Sequence, residues 1–152
     1  MHAPKLTLRQ LRALLHKMPF NRGVGIRIAK VHKDGVTIEI PLREDLLNGS
    51  GVLHGGVTAT IADVAVGMAI ARHFGGTRQA TTVELKVNYF RPVSEGKVVA
   101  RSRLLRVGNH LVIGSVDIRD DRKNFAGFAI ATYMLLEAAS SKSASYPATL
   151  GK

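Results

Sequence analysis

Apolar and polar positions alternate with a period of two over most of the chain after residue 23. In one such segment Val36, Ile38 and Ile40 lie on the same face. Alternation of this kind is typical of a half-buried β-strand, and short turns between strands favour antiparallel order. The pattern predicts a hairpin around a turn at 33–35 and then four longer strands, at 80–91, 97–107, 111–119 and 125–136.

Two segments depart from this alternation and predict helices. Near the N-terminus, leucines recur at helical spacing after Thr7, which predicts a short amphipathic helix capped by that threonine. The segment 55–74 is rich in Ala, Val, Ile and Met without alternation, and Gly75-Gly76 follows it as a helix stop. A helix of about five turns that is apolar on every face is expected in the core, covered by the sheet.

The length of 152 residues predicts a single main domain with flanking segments. We expect an N-terminal helix or brace at 1–22, the main domain at 23–137 and a flexible tail at 138–152. The chain has no cysteine, which excludes disulfides, a cysteine nucleophile and thiolate zinc sites. The N-terminus lacks the pattern of a secretory signal, so the expected location is cytoplasmic.

Charge changes this picture. The net charge is +11, which favours anionic partners such as nucleic acid, a membrane surface or a phosphorylated ligand. Residues 1–76 hold ten basic and five acidic side chains and residues 77–152 hold twelve and six, so no basic arm exists, and aromatic residues make up only 5%. Nucleic-acid-binding proteins concentrate basic residues and supply stacking aromatics. We therefore expect no nucleic-acid or membrane partner and favour a phosphorylated ligand.

The predicted central helix carries one acidic side chain, Asp63, and two threonines among apolar residues. Burying a carboxylate without a partner costs several kcal/mol of stability. We therefore favour a functional role for Asp63 over the two alternatives, in which Asp63 lies at an exposed edge or is paired with an arginine. His54 and Gly55-Gly56 precede the helix, where glycines allow close approach and first-turn N–H groups can bind an oxyanion. By itself this pair is equally compatible with a structural histidine at an ordinary helix start.

The spacing of these candidates adds a constraint. His54 and Asp63 are nine positions apart, which places them about 2.5 turns and about 13 Å apart along a helix, on nearly opposite sides. They cannot readily serve one site within one chain. Either only one of them is functional, or the site is assembled from two subunits. The second option predicts an obligate homodimer with two equivalent sites across a twofold axis.

These residues resemble a known family. The features are Asn48, the run His54-Gly55-Gly56-x6-Asp63, the segment 82–89 with the sequence TVELKVNY, and Arg91-Pro92. Together they resemble hotdog-fold acyl-CoA thioesterases of the phenylacetate-pathway (PaaI) type, over residues 24–136. The resemblance implies an α+β hotdog fold, in which a long central helix is wrapped by a curved antiparallel β-sheet, paired into a homodimer whose sheets join and often further into a homotetramer.

The resemblance also implies the reaction and the roles of residues. An acyl or aryl-acyl coenzyme A thioester is hydrolysed to free acid and CoA, without a metal or other cofactor. Gly55 supplies the N–H that polarises the carbonyl, His54 and Asn48 order the site, and Asp63 of the partner subunit is the base or nucleophile. Thr82 falls where relatives place a Ser or Thr that holds water or the carboxylate. The expected contacts with CoA are Gly56, Arg106, Asn109 and His110.

Two other functions stay open at this point. A hotdog hydratase or dehydratase would use the same fold, but its His and acid stand in other sequence contexts. A non-catalytic acyl-CoA-binding or sensing module would keep the basic pocket and tolerate loss of the carboxylate, whereas Asp63 is present. Glu84 and Lys86, on the strand face of Thr82, are interpreted as a solvated pair.

Overall fold

The computed structural model describes residues 4–136, so the predicted tail at 138–152 lies outside the described residues. Six strands form one antiparallel sheet in the order β1-β2-β4-β5-β6-β3. The elements are α1 (Leu8–His16), α2 (Pro19–Val24), β1 (Arg27–Val31), β2 (Val36–Pro41), a 3₁₀ turn (Glu44–Leu46), α3 (Gly55–His73), β3 (Ala80–Tyr89), β4 (Lys97–Val107), β5 (Leu111–Asp120) and β6 (Phe125–Leu135).

The core lies between α3 and one face of the sheet. On β2 the predicted inward positions Val36, Ile38 and Ile40 are fully buried, and from α3 Ile61 and Val66 meet them with no exposed surface. Burying alternate residues of a strand against an apolar helix removes both apolar faces from water. The predicted architecture, a long helix wrapped by an antiparallel sheet, is confirmed.

The N-terminal helix is also confirmed, together with its cap. The Thr7 side chain accepts the Gln10 N–H while the Gln10 side chain accepts the Thr7 N–H, which forms a capping box. Leu11 and Leu15 of α1 are buried against the rest of the domain. The segment therefore packs as a brace, as its leucine spacing predicts.

One short helix differs from the sequence expectation, which began the first strand at residue 24. Instead α2 spans Pro19–Val24, crosses the predicted boundary at 22/23 and ends at Gly25, whose φ of 83° is left-handed. Pro at the first helical position and Gly just after the last one are the local signals for such a helix. Six residues are too few to show helical periodicity, so apolar alternation dominated the prediction.

The expectation that α3 is buried on every face is wrong for one stripe. Thr60, Asp63, Val64 and Gly67 lie on a common helical face and are only partly buried. By length and composition alone α3 could cross a membrane, with a mean hydropathy of 1.2, but it packs on the sheet as a core helix does. The stripe leaves part of an apolar helix open beside β3.

Candidate active site

The start of α3 is organised by His54. His54 is the N-cap residue, and its Nδ1 accepts the Gly56 N–H at 2.9 Å. A neutral imidazole in this arrangement carries its proton on Nε2. Since the Gly56 N–H is engaged, Gly55 is left as the first-turn residue whose N–H has no intrahelical acceptor. The Gly56 N–H thus has a partner within the protein, whereas the Gly55 N–H is open at the helix start.

Tyr89, which the sequence analysis did not assign to the site, holds the same helix start from the end of β3. Its hydroxyl donates to the Gly55 carbonyl oxygen at 3.0 Å. A Cβ atom built on Gly55 would lie 3.5 Å from the Tyr89 ring, so the ring packs directly on the glycine. The helix terminus is fixed against the edge of the sheet by this contact.

A cavity of about 340 Å³ opens at this helix start. Its polar lining comes from Asn48, Thr58 and Arg91, and its apolar lining includes Leu53 and Phe90. Asn48 shapes the loop before the helix, because its Oδ1 accepts the N–H groups of residues 50 and 52 at 2.9 and 3.3 Å. The cavity therefore combines an apolar wall with a backbone N–H and one positive charge.

The second cluster surrounds Asp63, two turns further along α3. Asp63 Oδ1 accepts the Thr82 hydroxyl at 2.8 Å and the Tyr133 hydroxyl at 2.8 Å. The Tyr133 hydroxyl also lies 2.7 Å from the main-chain oxygen of Asp63. Both hydroxyls contact Oδ1, so within residues 4–136 Oδ2 has no hydrogen-bond donor.

Tyr133 is the further residue that the sequence analysis missed. Its side chain is buried, and burial followed by the negative charge of Asp63 raises its pKa above the usual value for a tyrosine. The phenol therefore stays protonated at neutral pH and serves as a hydrogen-bond donor. Gly67 leaves room for it, since a Cβ at that position would lie 3.2 Å from the hydroxyl oxygen. A tyrosine at an inward position of a strand, together with a glycine inside the predicted helix, is the sequence signal that could have identified Tyr133 as a site residue.

Within one chain the structure keeps the two clusters apart. Gly55 and Asp63 are eight positions apart on the helix, or about 12 Å along its axis. The cavity at the helix start has no lining from Asp63, and the β3 residues of the two clusters, Tyr89 and Thr82, lie near opposite ends of that strand. The predicted separation of the two candidates is confirmed.

The expected CoA contacts fall at both ends of this arrangement. Asn109 and His110 form the turn between β4 and β5, where the Leu135 N–H donates to the His110 oxygen at 2.7 Å. Tyr133, which contacts Asp63, is paired with Val112 on β5. The turn begins two residues before Val112, which is about 7 Å along the strand. Arg106 pairs with Ile113 and lies on the face of the sheet away from α3. Gly56 lies at the other cluster.

In residues 4–136 no group of three or more His, Cys, Asp or Glu is placed to hold a metal ion. The chemical equipment that is present is a helix-terminal N–H and a carboxylate held by hydroxyls. A helix N–H can stabilise an oxyanion, and a carboxylate can activate water or attack a carbonyl carbon. These are the two parts that acyl transfer to water requires.

Comparison with known proteins agrees with this chemistry. The thioesterase superfamily model matches residues 50–124. The medium/long-chain acyl-CoA thioesterase YigI of Escherichia coli K12 is 30% identical over 136 residues, covering 80% of this chain and 88% of that protein. A Haemophilus influenzae thioesterase superposes with a TM-score of 0.84 at 23% identity over 93% of this chain and 98% of its own.

A thioesterase family protein from Silicibacter pomeroyi superposes with a TM-score of 0.76 at 26% identity, covering 83% of this chain and 95% of its own. These three matches cover 80% or more of this chain and 88% or more of each protein compared. The protein belongs to the thioesterase superfamily and is a thioester hydrolase with the hotdog fold.

Proposed function

We propose that this enzyme hydrolyses an acyl or aryl-acyl coenzyme A thioester to the free acid and CoA, in the manner of PaaI-type thioesterases. The observation that carries the proposal is Asp63, whose Oδ1 is held by two hydroxyls while Oδ2 is free. The similarity to YigI supports CoA as the carrier. The apolar cavity at the helix start supports an alkyl or aryl acyl group.

The proposed chemistry starts at the thioester carbonyl. As a base, Asp63 Oδ2 takes a proton from water, and the water oxygen attacks the carbonyl carbon. The charge that develops on the carbonyl oxygen is stabilised by the Gly55 N–H. The C–S bond then breaks, and the CoA sulfur leaves with the proton. As a nucleophile, Oδ2 attacks the carbon itself, and the C–S bond breaks as CoA leaves as a thiolate, which gives a mixed anhydride. Water then hydrolyses the anhydride to the free acid and Asp63, and the proton that is released goes to the CoA thiolate.

Each site in this proposal is shared by two subunits of a homodimer. One chain supplies Gly55, His54 and Asn48, and the Asp63 that acts with them is Asp63 of the partner subunit. The separation of the two clusters within a chain supports sharing. A tetramer made of two such dimers and a cytoplasmic location remain predictions of the sequence.

Charge supports the choice of substrate. A dimer carries twice the net charge of +11, a field that steers a polyanionic CoA ester toward the protein. Arg91 brings a positive charge to the cavity itself. The proposal includes no cofactor, because water, a carboxylate and a backbone N–H suffice for hydrolysis.

The test is thiol release from short, medium, long and aromatic acyl-CoA esters. Asp63→Asn is expected to lower kcat by about 10²–10⁴-fold, because it removes the base or nucleophile. Asp121→Asn, in the exposed turn after β5, is the matched control and should keep wild-type kcat. Tight binding without thiol release would instead indicate a sensing module, and water addition to an enoyl ester would indicate a hydratase. Wild-type turnover by Asp63→Asn would exclude the proposed mechanism.

A further inference from the structure

A second cavity, of about 260 Å³, lies at the C-terminal end of α3. It is formed by the last two turns of α3, the turn between β1 and β2, the end of β4 and the segment before α1. It shares no lining residue with the cavity at the helix start, and Ala69 on its wall is about 21 Å from Gly55 along the helix axis. None of the residues of the proposed mechanism or of the expected CoA contacts lines it.

The polar lining of this cavity is mainly cationic. Lys5, Lys33 and Arg72 bring positive charges from three separate segments, and His73 adds an imidazole. Among the described lining residues Asp34 is the one acid, and its carboxylate is paired with the Arg101 guanidinium. The charge of Asp34 is therefore already balanced. Cations that surround one space repel each other, and an anion between them removes that repulsion.

Arg72 provides the observation that points to a ligand. Its Nε is buried and has no hydrogen-bond partner among residues 4–136. A buried N–H without an acceptor is costly, because it has lost water and gained nothing in return. Arg78 Nε also has no partner, but the Arg78 guanidinium lies over the Phe74 ring, 5.9 Å from its centre, outside this cavity. In the cavity, an oxyanion would supply the acceptor that Arg72 lacks.

The end of α3 is prepared for an anion in spite of the helix dipole. Carbonyl groups at a helix C-terminus carry partial negative charge. Here the main-chain oxygens of Ile70, Ala71 and Arg72 each accept an N–H from the following residues or from Leu6, at 2.8–3.2 Å. These donors offset the partial charge of the carbonyl groups, which reduces the repulsion that an anion meets.

The surroundings of the turn between β1 and β2 are positive as well. Burial lowers the pKa of His32, which precedes Lys33, and the positive charges of Arg101 and Lys30 lower it further. The same positive charges attract an anion to the cavity beside the turn.

Two contacts fix the groups on this side of the cavity. A Cβ atom on Gly35 would collide with the main-chain oxygen of Ser102, so the turn packs directly on β4. Lys5 Nζ donates to the main-chain oxygen of Lys33 at 3.0 Å. An ammonium group has three N–H donors, so this contact holds Lys5 at the cavity and leaves donors for a ligand.

We propose that this cavity binds a phosphate group, held by Arg72 of α3, Lys33 of the turn between β1 and β2, and Lys5 of the segment before α1. A phosphate is favoured over a carboxylate because it has more oxygens and more charge for cations that approach from three directions. The volume lies below the range of about 300–1,000 Å³ for drug-sized ligands. The ligand is therefore inorganic phosphate or a small phosphate monoester, and it joins the N-terminal brace to the main domain.

The experiment titrates the full chain with inorganic phosphate and with glycerol 3-phosphate, by calorimetry in a phosphate-free buffer at low salt. The tighter of the two identifies the source as the free ion or a monoester. Saturable binding with a dissociation constant of about 1 mM or lower is expected. The melting temperature should rise with ligand concentration, because the ligand binds the folded chain. A response that saturates with neither ligand would overturn the proposal.

Variants of Arg72 separate its geometry from its charge. Arg72→Gln removes the charge and the guanidinium fork and should raise the dissociation constant about tenfold or more. Arg72→Lys keeps the charge without the fork and should raise it about threefold. Lys123→Gln, in the exposed turn after β5 at the other end of the sheet, removes the same charge and should leave the constant unchanged.

Lys33→Gln is a second variant that does not disturb a helix, and it should weaken binding about threefold. Wild-type affinity in both Arg72→Gln and Lys33→Gln would contradict the assignment of the cavity.

CoA also carries phosphates, so the titration is repeated with saturating CoA. A separate site predicts the same dissociation constant for phosphate with and without CoA. Competition between the two ligands would assign the cavity to the substrate and overturn the proposal of a separate site. Binding is measured without turnover, so this result does not depend on whether the proposed hydrolysis is correct.

Discussion

At the residue scale, the proposed mechanism depends on the two oxygens of Asp63 having different hydrogen-bond partners. Oδ1 accepts from Thr82 and from Tyr133, at 2.8 Å in each case. Two donors on one oxygen hold the plane of the carboxylate, which sets the direction of the other oxygen. The half-buried carboxylate is thus satisfied by hydroxyls and not by an arginine.

Tyr133→Phe tests this positioning role. The variant keeps the ring in the core and removes one donor, so kcat should fall about tenfold, the cost of about one hydrogen bond to a charged group. KM should change little. A melting temperature close to wild type is the folding control, and a kcat equal to that of the wild type would show that Tyr133 is only structural.

At the element scale, α3 performs two tasks that compete. As a core helix it needs apolar residues on most faces, and as the carrier of the site it needs glycines that let other groups approach. Glycine within a helix costs about 1 kcal/mol relative to alanine. At Gly67 the absence of a side chain lets the Tyr133 hydroxyl approach the helix, because a Cβ at this position would lie 3.2 Å from the hydroxyl oxygen.

A pair of glycine substitutions separates the two tasks. Gly67→Ala should displace the Tyr133 hydroxyl and lower kcat several-fold, without the full gain in stability of about 1 kcal/mol that helix propensity predicts. Gly23→Ala is the control, because α2 leaves open space around that position. It should gain stability by up to about 1 kcal/mol and keep wild-type kcat. Chemical denaturation and thiol release measure both, and equal behaviour of the two variants would argue against the contact.

At the scale of the whole molecule, the proposed mechanism requires the two clusters to meet across a subunit boundary. The helix start contributes a donor and a cavity, and the middle of the helix contributes a carboxylate about 12 Å away along the axis. A rigid helix cannot bring the two together. In the proposed function, a second chain therefore supplies the missing cluster.

Complementation between inactive chains tests the shared site. One chain carries Asp63→Asn, and the other carries Asn48→Ala with His54→Ala. If sites are shared, the mixed dimer contains one intact site and should reach about half of the wild-type activity per dimer. If each chain holds its own site, both sites are damaged. Subunit exchange confirmed by mass, with no recovery of activity, would contradict sharing.

Much of the fold follows from patterns local in sequence. Period-two alternation predicts the strands, Thr7 predicts the cap of α1, and the apolar run before Gly75-Gly76 predicts α3, and the structure confirms these elements. The expectation that Thr82 shares a strand face with Glu84 and Lys86 is wrong, because a register irregularity between Thr82 and Glu84 turns Thr82 toward α3. The spacing of His54 and Asp63 follows from helix geometry alone. These inferences succeed because they depend on backbone periodicity, which a single segment already expresses.

Tertiary structure determined the contacts between residues that are far apart in the sequence. Tyr133 stands 70 residues from Asp63, and only the placement of β6 in the sheet brings them together. Strand order also decided that β3 is an edge, since alternation along a strand is the same at an edge and in the centre of a sheet. The sequence by itself determined the elements and the candidate carboxylate. The contacts of that carboxylate and the open edge beside it arose from packing, because no local pattern encodes which strands become neighbours.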